Sequence, residues 1–162
     1  MWAGFGLFSG IRKGEYAQES RFKVLGNHEI VPGTNEPKAF TLPDILFYTE
    51  ERTKVSHQHA LDNPKSITKE SSTWRYQKNG DNGETKHFAR GKAIDPVQCL
   101  QNIAKNFITL AGTRTNIPIA LYKDHQNDKL LYIYDGLINK MLQEAASAIY
   151  NLDPVKDIQD LK

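Results

Sequence analysis

One cysteine, Cys99, is all the thiol chemistry in the chain's 162 residues. That excludes a disulfide framework and a cysteine-built zinc site within one chain. Next to Leu100 on a helical pattern, Cys99 reads as a small core residue and not as a nucleophile. Long hydrophobic runs are missing too. The longest apolar stretch, Met1 to Ile11, is broken by glycines and is too short for a membrane helix of about 20 residues. Nor does it read as a signal peptide, because Arg12 and Lys13 follow the apolar run where a leader would place them before it. An intracellular location is therefore expected.

Charge of one sign is also scarce. The net charge of +2 excludes a uniformly basic protein, but the charges are unevenly spread. From Lys65 to Lys92 there are seven Lys/Arg against three Asp/Glu, a local +4. From Asp124 to Lys162 there are four against seven, a local −3. One anion-facing surface is the expected consequence. Apolar residues at 39% and aromatics at 10% suffice for one globular domain with a single core.

Periodicity predicts a helix over Trp2–Ala17, weakened by Gly4, Gly6 and Gly10, and a loop over Gly26–Pro37. Phe40 to Thr49 reads as a strand, and Arg52 to Ser72, polar and without period, as a long loop. Thr73–Gln77 and Glu84–Ala89 flank two Asn-Gly steps, which supply the positive φ that a hairpin turn requires. Asp95 and Pro96 open a helix whose stripe of Val97, Leu100, Ile103, Ala104, Phe107, Ile108 and Ala111 ends at Gly112. Ile119–Tyr122 and Leu130–Tyr134 are short apolar pieces. A last helix from Asp135 is expected to turn Leu137, Ile138, Met141, Leu142, Ala145 and Ile149 inward. The fold class expected is α+β: a mainly helical domain with a small antiparallel sheet, strand plus hairpin, packed beside the helices.

Several short patterns carry no chemistry. Gly4 to Gly10 lacks the spacing and the preceding strand of a dinucleotide fingerprint. His57-Gln58-His59 and Asp124-His125 with Asp128 read as solvated loop residues, so no metal is expected. His87-Phe88-Ala89-Arg90 spells His-x-x-Arg on a hairpin strand, upstream of two helices, and reads as a coincidence.

What remains is an ordered succession. Arg12-Lys13-Gly14-Glu15 closes the apolar helix, Leu42-Pro43-Asp44-Ile45 enters a strand, and Tyr76-Gln77-Lys78-Asn79-Gly80 runs into the hairpin turn. Asp95-Pro96-Val97-Gln98-Cys99-Leu100 then opens a helix. This order resembles the catalytic domain of tyrosine recombinases, the phage-integrase-like enzymes of DNA strand exchange, in the divergent form carried by mobile elements. By that resemblance Arg12 is the first phosphate-binding arginine, Glu15 supports it, and Lys78 is the acid that protonates the leaving 5′-oxygen. Lys86, across the same hairpin, is the alternative lysine. The resemblance further implies no metal and no cofactor, double-stranded DNA as partner, and a DNA-associated location, nuclear if eukaryotic. Arg75, Lys86 and Arg90 are expected with Lys78 in a phosphate-contacting patch, and Arg12 and Lys78 on one shared basic surface.

The family's later His-x-x-Arg box and nucleophilic tyrosine have no counterpart among residues 1–162, which are accordingly expected to be the N-terminal part of such a domain, inactive alone. Two functions stand side by side: a share in recombination or integration within a full-length enzyme, and a non-catalytic DNA-binding or interaction module derived from one.

Overall fold

The structure, a computed structural model, describes residues 2–19, 27–77, 80, 82–124 and 126–150. Among them the order is α1 (Trp2–Ser9), α2 (Lys13–Tyr16), β1 (Ile45–Thr49), β2 (Lys54–Val55), α3 (His57–Asp62), β3 (Ile67–Trp74) and β4 (Glu84–Ala89). Then follow α4 (Pro96–Ala111), β5 (Leu121–Asp124), β6 (Lys129–Tyr132) and α5 (Asp135–Tyr150). The fold is α+β. Four antiparallel strands lie in the order β2-β1-β3-β4, and β5 and β6 form a separate hairpin.

Helix α4 anchors the domain. The Asp95 side chain accepts the Gln98 N–H at 3.2 Å, Pro96 takes the first turn, and Gly112, at φ +68°, ends the helix with a backbone that costs other residues energy. Its buried stripe of Val97, Leu100, Ile103, Ala104 and Phe107 packs beneath the sheet. Gln101 is also buried in α4. Its amide donates to the carbonyls of Ala60 (3.1 Å) and Pro64 (3.2 Å), which fixes α3 and the following turn against α4.

The sheet has two chemically different faces, because successive strand residues point to opposite sides. Register places Ile45 opposite Ser72 and Phe47 opposite Glu70, while Glu70 and Ser72 face Phe88 and Lys86 on the other neighbour. This set, continued by Trp74, is the inner face. Tyr48, Lys69, Ser71, Thr73, Thr85 and His87 lie on the outer face. Glu70 is fully buried between the two phenylalanines, with Ser72 donating to its Oε2 at 3.0 Å and Oε1 without a partner.

Several sequence expectations are corrected. Residues 52–72 are not a loop: β2, α3 and most of β3 lie there, and the first hairpin strand is Ile67–Trp74, ending before Gln77. The predicted Trp2–Ala17 helix breaks at Gly10, whose φ of +67° leaves the helical region. The predicted strand from Phe40 starts at Ile45, because Leu42-Pro43-Asp44 forms a 3₁₀ turn in which Asp44 accepts both the N–H (2.8 Å) and the hydroxyl (2.7 Å) of Thr41. Helix α5 exists but does not turn its apolar stripe into the core: Met141, Leu142 and Ile149 are exposed. The two short apolar pieces pair as the β5–β6 hairpin, Leu121 facing Tyr132.

Candidate functional site

The Arg-x-x-Glu spacing has a local cause. Arg12 precedes the four-residue helix α2, and Glu15, three residues on, accepts the Arg12 N–H with its Oε2 at 2.8 Å. The Glu15 N–H in turn donates to the Arg12 carbonyl at 2.9 Å, and the Glu15 carbonyl receives the N–H of Phe40 at 3.1 Å. A glutamate at this offset therefore fixes the backbone that carries the arginine. The neighbouring Lys13 anchors α2 to α5 through Asp135 (2.8 Å) and Asn139 (3.2 Å). Tyr16 stacks on Trp2 with ring centroids 4.6 Å apart. The Arg12 side chain is exposed, and no carboxylate of the described residues pairs with it.

Glu15 is nearly buried. Burial pushes its carboxyl above the usual range, against the opposing pull of the Arg12 N–H, the Arg12 charge and the Lys86 charge. Lys86 lies on the inner face of β4, 4.7 Å over the Trp74 ring and 3.7 Å from a Glu84 oxygen. Arg12 from the α2 motif and Lys86 from β4 thus both act electrostatically on one carboxyl. Beside them opens a cleft of about 380 Å³ lined by Arg12, Gly14, Glu15, Glu19, Lys38 and Tyr76. Lys38 sits 5.0 Å over the Tyr76 ring, 3.1 Å from Glu19 and 3.6 Å from Glu29. Burial alone would lower the Lys38 ammonium, but these two carboxylates outweigh it and hold the group above its ordinary value. Chemically the cleft offers an unpaired guanidinium fork for an anion, with a second cation held back by carboxylates.

Of the residues singled out in the sequence, Arg12 and Glu15 are joined by a hydrogen bond, and the Lys86 charge acts on the Glu15 carboxyl. Lys78 lies outside the described residues, while Tyr76, two positions before it, lines the cleft. Arg75 and Arg90 are engaged elsewhere. The Arg75 Nε donates to Asp44 at 2.6 Å, with Glu36 at 3.4 Å, so Asp44 ties the turn before β1 to the end of β3. Arg90, just past β4, pairs with Asp95 at 2.6 Å and donates to the carbonyls of Ile67 (2.7 Å) and Pro64 and to Gln101 (3.2 Å). Both guanidiniums therefore join elements of the fold.

Lys38 and Glu19 had no signal in the sequence, since each is an isolated charge in a polar stretch. His57 opens α3 and bonds the Ile45 carbonyl at 2.8 Å through Nε2. Among the described residues no three His, Cys, Asp or Glu side chains gather as a metal site would require. The chain matches no protein-family model, no curated protein and no solved structure.

Proposed function

We propose that this domain binds the phosphate backbone of double-stranded DNA at the Arg12 cleft, as part of a tyrosine-recombinase-like catalytic domain. The observation that supports it most is the Arg-x-x-Glu turn, in which Glu15 fixes the Arg12 backbone and an exposed guanidinium lines the cleft, with the Lys86 charge acting on the same Glu15 carboxyl. An exposed arginine with no salt-bridge partner among the described residues can hold the nonbridging oxygens of a phosphodiester through two parallel hydrogen bonds. A lysine beside it can protonate the departing 5′-oxygen. In this reading Arg12 grips the phosphate, Glu15 holds the Arg12 backbone, and Lys78, or Lys86 as the alternative, is the acid. No tyrosine of the chain is assigned as nucleophile, so the chain's own share is binding and part of the phosphate clamp. A DNA-associated location follows from the same reading.

The test is fluorescence anisotropy of a labelled duplex across a salt series. Affinity should fall steeply with salt, and Arg12→Gln and Lys86→Gln should each flatten the log–log slope by about 0.9, the loss of one phosphate contact. Lys140→Gln, on exposed α5, should leave it unchanged. Salt-independent binding, or none at low salt, overturns the reading.

A further inference from the structure

We propose that the outer face of the sheet carries a second phosphate-binding site, built from Tyr48, Arg52, Lys69 and His87. The four line a shallow basin of about 290 Å³. Strand alternation assembles it. Tyr48 is register partner of Lys69, and His87 is register partner of Ser71, so three adjacent strands contribute to one patch. The same alternation puts Lys86 and His87, neighbours in β4, on opposite faces, and hence separates this basin from the Arg12 cleft.

Arg52 joins from the turn between β1 and β2. It holds φ +62°, a conformation that costs a residue with a side chain about 1 kcal/mol or more, and its N–H donates to the Thr49 carbonyl at 3.0 Å. That turn brings Arg52 to the rim of the basin.

The cations here differ from the paired ones. Arg75, Arg90 and Lys38 each have a carboxylate partner, whereas among the described residues Arg52, Lys69 and His87 have none. Glu50 and Glu51 are exposed in the same turn and do not line the basin. The Tyr48 hydroxyl, 3.3 Å from Ser71 Oγ, adds a neutral donor on the floor. A planar guanidinium fork, a compact ammonium, an imidazole N–H and a phenol converging on one hollow match the tetrahedral, multiply charged oxygens of a phosphate group. The phosphate is either free or part of a nucleic-acid backbone.

Amide ¹H–¹⁵N spectra of the full chain test this in two arms, one with inorganic phosphate and one with a short DNA duplex. A saturable shift confined to the amides around Tyr48, Arg52, Lys69 and His87 is expected in at least one arm, and the arm that gives it identifies the source. The doubly neutralised Arg52→Gln/Lys69→Gln protein should bind about 10-fold more weakly in that arm. Its unchanged spectrum elsewhere verifies that it is folded. Arg12→Gln should leave the outer-face shifts in place, so loss of the cleft reading and loss of this one are separately visible. Silence of these amides in both arms, or shifts that survive the double substitution, overturns the proposal.

Discussion

Replacing Glu70 by glutamine should flatten the pH dependence of stability between about pH 5 and pH 8, and should stabilise the protein at the upper end of that range. Glu70 is wholly buried on the inner face of β3, opposite Phe47 and Phe88, with one carboxyl oxygen unpartnered. Burial raises its pKa from 4.5 to about 8, against a lowering by the Ser72 hydroxyl. The folded chain therefore binds this proton more tightly than the unfolded chain. Stability from this group is complete below about pH 4.5 and is lost as pH rises through about 8. At about 1.4 kcal/mol per pH unit, the full swing is at most about 5 kcal/mol. Glutamine keeps the shape and removes the titration. Glu70→Met also removes the polar group, and should exceed the wild type by several kcal/mol at pH 8, on the order of what unpaired buried charges cost.

Denaturant unfolding at pH 5, 6.5 and 8 measures the effect. Among the described residues two other groups contribute, and they are common to both proteins. Burial raises the Glu15 carboxyl, which acts in the same direction, and burial lowers His28, which takes away stability as pH falls. The difference between wild type and Glu70→Gln removes both. Parallel pH profiles for the two proteins would mean that Glu70 keeps its charge inside the fold, with a partner for Oε1.

Glu70 also explains why part of the fold was illegible in the sequence. Strand β3 reads Ile-Thr-Lys-Glu-Ser-Ser-Thr-Trp, and its inward positions include Glu70 and Ser72, so no apolar alternation announces a strand. β2 has two residues, too few for any period. Elements with local signals were legible: Asp95, Pro96 and Gly112 delimit α4, and the Asn-Gly steps locate the hairpin that β4 completes. Ser56, whose hydroxyl accepts the His59 N–H at 3.1 Å, is a cap of the same kind before α3, in a stretch read as loop. In the site, Arg12 and Glu15 were legible because capping acts over three residues. The partners of charges were not. Asp44 is 31 positions from Arg75, and sequence places no bound on which carboxylate will meet which cation.

Arg90 gives the sharpest division between a charge that holds the fold and a charge proposed to meet DNA. Its side chain, 30% exposed, joins Asp95, Gln101 and the carbonyls of Ile67 and Pro64, so one guanidinium closes the end of β4 onto α4 and the turn before β3. Arg90→Met fills much of the same space and takes the Arg90 donor from Asp95 Oδ2 and from the Ile67 carbonyl, while the Pro64 carbonyl keeps Gln101 and Asp95 Oδ1 keeps the Gln98 N–H. The cost expected is about 2–4 kcal/mol, below that of a fully buried pair because water reaches part of the site. Arg90→Lys restores the charge but not the fork, and should recover only part of the loss. Duplex affinity of Arg90→Met, measured below its unfolding transition, should match the wild type in strength and in salt slope. In the same assay Lys86→Gln should show the opposite pattern, with stability nearly kept and the slope reduced. A methionine variant as stable as the wild type yet weaker on duplex would assign Arg90 to the phosphate-contacting patch, and its network with Asp95 would then be incidental to folding.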